Sequence, residues 1–159
     1  MSALRRLAAR LGVEPDRAEL AGAAFPGAAR VLHAGDAAWA ADAPADALEL
    51  LEEGTLELEL RPHPGGPTLR HEVHAPALLG LPSALDGGPR ASAARAVGPA
   101  RLRVLPRGPL LQALHGAGPG AEALRELILA ALWAELSEGT LALRDHLRVR
   151  PPAQGLPDP

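Results

Sequence analysis

The sequence contains no cysteine. That excludes a disulfide framework and any thiolate-ligated metal centre, and it fits a reducing compartment. Lysine is also missing, so all sixteen basic side chains are arginine. Together with 17 glycines, 17 prolines and abundant alanine, this points to compositional bias in the gene. An arginine here therefore argues less strongly for phosphate recognition than it otherwise would. Tyrosine is absent, and Phe25, Trp39 and Trp133 are the only aromatics, so the core has to be built from leucine, valine and alanine. No apolar run approaches the roughly 20 residues of a membrane span. The first eleven residues alternate arginine with leucine and alanine and lack the apolar centre of a signal peptide, so a cytoplasmic protein with no membrane partner is expected. A basic excess is lacking as well: the net charge of −3 argues against a general nucleic-acid binder.

What is present is 159 residues, most simply one domain with a real core. Charge is unevenly spread. Residues 31–66 carry one arginine against eight acids, whereas residues 67–120 carry six arginines against two acids.

Leu4, Leu7, Ala8 and Leu11 recur at helical spacing, with Gly12 where a helix would stop, and Glu14 to Leu20 adds a turn with Pro15 near its start. Arg5, Arg6 and Arg10 read as the solvated face of that first helix. Ala29 to His33 is a strand, followed by a Gly35-Asp36 turn and an Ala, Asp and Pro loop from Ala37 to Ala45. Leu48 and Leu50, then Leu56, Leu58 and Leu60 alternating with Thr55, Glu57 and Glu59, predict strands with leucines on one face and acids in water. After the Pro62 to Pro67 turn, Leu69, His71 and Val73 form the return strand. His63, His71 and His74 invite a metal reading. On a strand, however, His71 and His74 point to opposite faces and no fourth ligand is indicated, so no metal site is expected.

The stretch from Leu79 to Val97 joins a glycine, a one-turn helix, an Asp86-Gly87-Gly88-Pro89 turn and an arginine-bearing strand, an arrangement able to hold a small anion. It lacks the Lys and Ser/Thr of a phosphate-binding glycine loop. Leu102 and Val104 alternate with Arg101 and Arg103 in another strand, broken at Pro106 to Gly108, and Leu110, Leu111 and Leu114 make a short helix. From Ala121, the positions Leu124, Leu127, Ile128, Ala131, Leu132 and Leu136 follow one buried helix face. The same register reaches Leu143 and Leu147, so two courses are open: one long helix, or a helix ending near Ser137 and then a strand. Pro151 onward reads as a frayed tail. The organisation expected is an N-terminal helical segment (1–27), a mainly β domain (28–120), a C-terminal helix (121–149) and a tail (150–159). The fold class is mainly β, an antiparallel β-barrel or jelly-roll sandwich flanked by helices.

These residues resemble a known family. Val31-Leu32-His33-Ala34-Gly35-Asp36 and Ala45-Asp46-Ala47-Leu48-Glu49-Leu50-Leu51-Glu52-Glu53-Gly54-Thr55-Leu56-Glu57-Leu58 are similar to the first half of a cyclic nucleotide-binding domain of the catabolite-activator (Crp/Fnr-like) type. Leu79-Gly80 and Pro89-Arg90-Ala91-Ser92-Ala93-Ala94-Arg95-Ala96 resemble its phosphate-binding cassette, and Arg101 to Pro106 the strand entering its last helices. The likeness covers roughly residues 28 to 136. It implies a ligand site at Gly80, Leu81, Arg90, Ala91 and Ser92, in which a glutamate after the glycine grips the ribose hydroxyl and an Arg-Ser or Arg-Thr pair holds the cyclic phosphate. Here Gly80 and Arg90 match. Leu81 stands at the glutamate position and Ala91 at the hydroxyl position, with Ser92 one residue on, and the cassette is about one residue shorter. An unpaired ribose hydroxyl costs about 1–3 kcal/mol.

The resemblance therefore implies a non-catalytic regulatory or interaction module that has lost cAMP and cGMP binding and needs no cofactor. Its partner is expected to be another protein or a larger assembly, a homodimer through the C-terminal helix among them. The alternative is a sensor that takes a cyclic nucleotide or another small anion at Gly80 and Arg90. A DNA-binding role would need a helix-turn-helix, for which the residues after the long helix are too few. A metal-dependent cupin-like enzyme is disfavoured by the histidine spacing, and nothing else suggests catalysis.

Overall fold

The computed structural model describes residues 1–25, 27–61 and 64–149, with 139–149 as helix backbone alone. Two helices open the chain. In α1 (Ala3–Leu11), the Ser2 hydroxyl accepts from the Arg5 amide, and Gly12 ends the helix in the left-handed region, where a side chain would be strained. α2 (Pro15–Ala23) has its proline in the first turn, where no amide donor is needed. Eight strands follow: β1 (Ala28–Leu32), β2 (Ala37–Trp39), β3 (Ala47–Glu53), β4 (Thr55–Leu60), β5 (Leu69–His74), β6 (Ala77–Leu79), β7 (Ala93–Ala96) and β8 (Ala100–Pro106). Between β6 and β7 lies the short helix α3 (Leu81–Asp86). After β8 come α4 (Arg107–His115) and α5 (Pro119–Val149).

The strands form two four-stranded antiparallel sheets, ordered β1-β8-β3-β6 and β2-β7-β4-β5. This is the expected jelly-roll sandwich. Two apolar cores result, one on each side of the first sheet. Between the sheets, Leu51, Ala77, Leu79 and Leu102 meet Leu56, Ala94 and Ala96. On the outer side, Leu48, Leu50, Leu78 and Leu105 are covered by Leu4 and Leu7 of α1, Ala18 and Ala21 of α2, and Leu124, Leu127 and Ile128 of α5. The alanines and Gly22, whose Cα faces Leu4, let the helices approach closely.

Several expectations change. The loop read from Ala37 to Ala45 contains β2, a three-residue strand paired with β7 across a register shift. The lead into the cassette holds β6, which pairs with β3. α4 begins at Arg107, inside the expected Pro106 to Gly108 break, because the preceding proline supplies the extended entry and the break ends two residues sooner. Two of the three acids of β3 are not in water, and Glu53 at the end of the strand is exposed. That strand has apolar cores on both faces, so Glu49 and Glu52 are both buried. α5 runs unbroken through Gly139, which settles the choice between one helix and a helix followed by a strand. His63 and the tail from residue 150 lie outside the described residues.

Candidate functional site

β6 delivers the chain to Gly80, which precedes α3 with φ +78°. A Cβ at Gly80 would collide with the Arg90 guanidinium and lie 3.4 Å from the Glu49 carboxylate. Glycine is needed here for both conformation and space. α3 then turns back. Gly87 ends it at φ +78°, the Asp86 carboxylate accepts from the Gly88 amide at 2.7 Å, and the Ser83 hydroxyl donates to the Pro89 carbonyl at 3.0 Å. Arg107 donates to the Ala84 and Leu85 carbonyls, satisfying the orphan acceptors at the end of α3. Backbone hydrogen bonds from Arg90 to the Ala43 carbonyl and from Asp42 to the Arg90 carbonyl anchor the far end of the turn on the loop after β2.

These constraints send the Arg90 side chain inward, between the sheets, where it is 5% exposed. Its Nη1 donates to Glu49 Oε2 at 2.9 Å and its Nη2 to Glu49 Oε1 at 2.5 Å, a two-pronged pair, and Nη2 also reaches the Ala47 carbonyl at 3.3 Å. The guanidinium lies 4.5 Å from the centre of the Trp39 ring, whose Nε1 donates to the Ser92 carbonyl. Among the described residues Arg90 Nε has no hydrogen-bond partner although it is buried. Glu49 shares the inter-sheet face of β3 with Leu51 and stands opposite Leu79 in the register. Burial pushes its carboxyl above the usual glutamate range, and the hydrogen bonds and charge of Arg90 pull it only partway back.

Of the expected site residues, Gly80 and Arg90 are brought together. Leu81 is fully buried, but in the helix-side core with Leu48, Leu78 and Leu105, away from the guanidinium. Ala91 is exposed, and Ser92 is half-buried and enters the site through its carbonyl, as the acceptor for Trp39. Sequence reasoning missed Glu49 and Trp39. Both left a signal: Glu49 is a carboxylate inside a strand apolar on either side, and Trp39 is the one large ring in a run of small residues.

Beside Leu79 a cavity of about 480 Å³ opens from between the sheets toward the helices. Leu58, Val73 and Ala77 form its floor, and Ala131 and Ala134 of α5 its roof. Arg10, His71, Glu135 and Glu138 also line it. His74 points to the other face of β5 and shares a hydrogen bond with the Thr55 hydroxyl, so His71 and His74 do not converge. No described helix is long and apolar enough to cross a membrane.

An eight-stranded roll, a short helix between its sixth and seventh strands, and an arginine aimed from that turn into the interior define a domain of the catabolite-activator class. The model of the cyclic nucleotide-binding domain matches residues 29–116, more than half of the chain, and the chain belongs to that family. Among solved structures, the catabolite activator protein of Thermus thermophilus superposes with a TM-score of 0.68 at 27% identity, over 86% of this chain and 61% of that one. This chain thus spans about three-fifths of that protein's length. The N-terminal domain of a transcriptional regulator from Streptomyces coelicolor A3(2) gives 0.64 at 26% identity, over 85% of this chain and 95% of that one. The regulatory domain of PKA from Toxoplasma gondii, crystallised with cAMP, gives 0.62 at 16% identity, over 85% and 49%, and shares the fold. Comparison with curated proteins finds no match.

Proposed function

We propose that this domain is a non-catalytic regulatory or interaction module of the cyclic nucleotide-binding family that no longer takes cAMP or cGMP and acts through protein contacts. The observation that carries the reading is the engagement of Arg90: the cation that would meet a cyclic phosphate already has a carboxylate on both its terminal nitrogens. The neighbouring positions add no replacement, since Leu81 is turned into the core and Ala91 has no hydroxyl. Without these acceptors and donors, a bound nucleotide would leave polar groups unpaired, at about 1–3 kcal/mol each. Protein contacts fit the outer face of α5, where Leu129 and Trp133 stand in solvent one helical turn apart. A second copy pairing through this helix is the simplest partner. The lack of cysteine supports a cytoplasmic setting.

The second reading, a sensor for a small anion at Gly80 and Arg90, is favoured by the buried Arg90 Nε, a donor without a partner. Calorimetric titration of the chain with cAMP and with cGMP separates the two. The first reading expects no saturable heat at millimolar nucleotide, and saturable binding that disappears in Arg90→Gln would establish the second.

A further inference from the structure

Glu49 is held in the manner of a ligand. Its two oxygens face the two terminal nitrogens of Arg90 side by side, the geometry in which a guanidinium takes a carboxylate or a phosphate. Both side chains are almost wholly buried, at 5% and 6% exposure, so the pair is no incidental surface contact. The arginine is fixed on its other sides by the Trp39 ring, the Ala47 carbonyl and the close passage of Gly80, and these contacts do not depend on Glu49. The position opposite its terminal nitrogens is therefore shaped for a flat or tetrahedral oxyanion. Its present occupant comes from the chain itself.

We propose that Glu49 is a tethered occupant of the anion position at Arg90, and that this one side chain decides whether the position accepts a phosphate-sized oxyanion from solution. The inference rests on the reading that the domain does not bind cyclic nucleotide. An external anion has to displace a carboxylate that never leaves the neighbourhood. A carboxylate held on β3 directly against the guanidinium has an effective concentration far above that of a dilute free ligand. It is also a like charge that the incoming ion must approach. Take the carboxylate away, and the guanidinium is a buried, permanently charged group without a counter-ion, the condition under which an anion is bound most strongly. Leu79, the register partner of Glu49 on the same face, lines the cavity of about 480 Å³ that opens toward α1 and α5. The next residue, Gly80, lacks the Cβ that would collide with the guanidinium, so the Arg90 side chain packs directly against the backbone there.

The test uses Glu49→Ala, which opens the position, and Glu49→Gln, which removes the charge with little change of shape. Melting temperatures are followed in inorganic phosphate against sodium chloride of equal ionic strength. Both variants are expected to gain a saturable stabilisation, about 3–6 °C at a tenfold excess of phosphate over its dissociation constant. The native chain should show none, and adding Arg90→Gln to either variant should abolish the gain. Should a variant fail to fold in chloride, its refolding yield in phosphate serves instead, and recovery by phosphate supports the proposal. Equal responses of the native chain and both variants, or a gain that survives loss of Arg90, would overturn it. Repeating the titration with cAMP separates this inference from the functional reading. Nucleotide binding by the native chain defeats that reading, whereas failure of phosphate on the Glu49 variants defeats the inference alone.

Discussion

Glu49 and Glu52 lie three residues apart on β3, on opposite faces of the same sheet, and both are buried. Their arginines differ. Glu52 faces the helix side and meets Arg101 at 3.1 Å and Arg103 at 2.6 Å, whose side chains are 51% and 35% exposed, while Arg6 of α1 donates to its carbonyl. Glu49 faces the inter-sheet core and, among the described residues, pairs with Arg90, both side chains being almost wholly buried. A cation that keeps part of its hydration loses little on pairing, and the Glu52 cluster serves as a clamp that ties β8 and α1 to β3. A pair taken wholly out of water loses several kcal/mol of hydration for each ion, and the mutual attraction scarcely returns it. The outer pair thus contributes to stability, whereas the inner one contributes mainly specificity: it dictates which group occupies the Arg90 position.

The contrast is largest when one partner is removed. Arg90→Met should destabilise the domain by about 3–5 kcal/mol, because Glu49 is left buried and uncompensated. The double change Glu49→Met with Arg90→Met should restore stability to within about 1 kcal/mol of the native chain or exceed it, as apolar side chains of similar length fill the space. Urea unfolding at neutral pH measures both. A double variant as unstable as Arg90→Met would show that the pair holds the fold together, and the distinction between the two glutamates would fail.

Acid sharpens the same distinction by a smaller amount. Burial raises the Glu49 carboxyl above its unfolded value, so the native state takes up this proton before the unfolded chain does. The contribution of Glu49 to stability is therefore fully present below the unfolded value and is lost as pH rises through the higher folded value. Between those two pH values, Glu49→Gln should lack the decline that the native chain shows. Stability measured across that interval for both chains checks the sign, and a native chain that instead gains stability from Glu49 with rising pH would contradict it.

Much of this architecture is legible in the sequence, and the reasons are local. The α5 face from Leu124 to Ala131, the alternation in β4 and the order of turns from Gly35 to Gly80 each follow from a repeat period or a turn residue. The charge imbalance between residues 31–66 and 67–120 was equally visible, but its meaning was not. In the fold the two segments neutralise each other, with Arg90 matched to Glu49, Arg101 and Arg103 to Glu52, and Arg70 to Glu59. Partners such as Glu49 and Arg90, 41 residues apart, are set by sheet register and by the depth of β3. No period within either segment reports that depth. Leu81 shows the same limit: its place after Gly80 put it at the glutamate position of the cassette, yet only the direction of α3 decides that its side chain enters the helix-side core.

The smallest expected effect falls on the outer cluster. Arg101→Gln removes a contact whose cation is half in water and leaves Glu52 its bond to Arg103 at 2.6 Å. The loss should be below about 1 kcal/mol, as for a surface ion pair. Removing Arg103 as well strands a buried carboxylate, and the cost should then climb toward that of Arg90→Met. Additive unfolding energies for the two arginines would refute a shared clamp, since partners of one carboxylate compensate for each other until both are gone. A strongly non-additive result would mean that what sets Glu52 apart from Glu49 is its second, solvent-reaching arginine, which allows either one to be lost without leaving the charge alone.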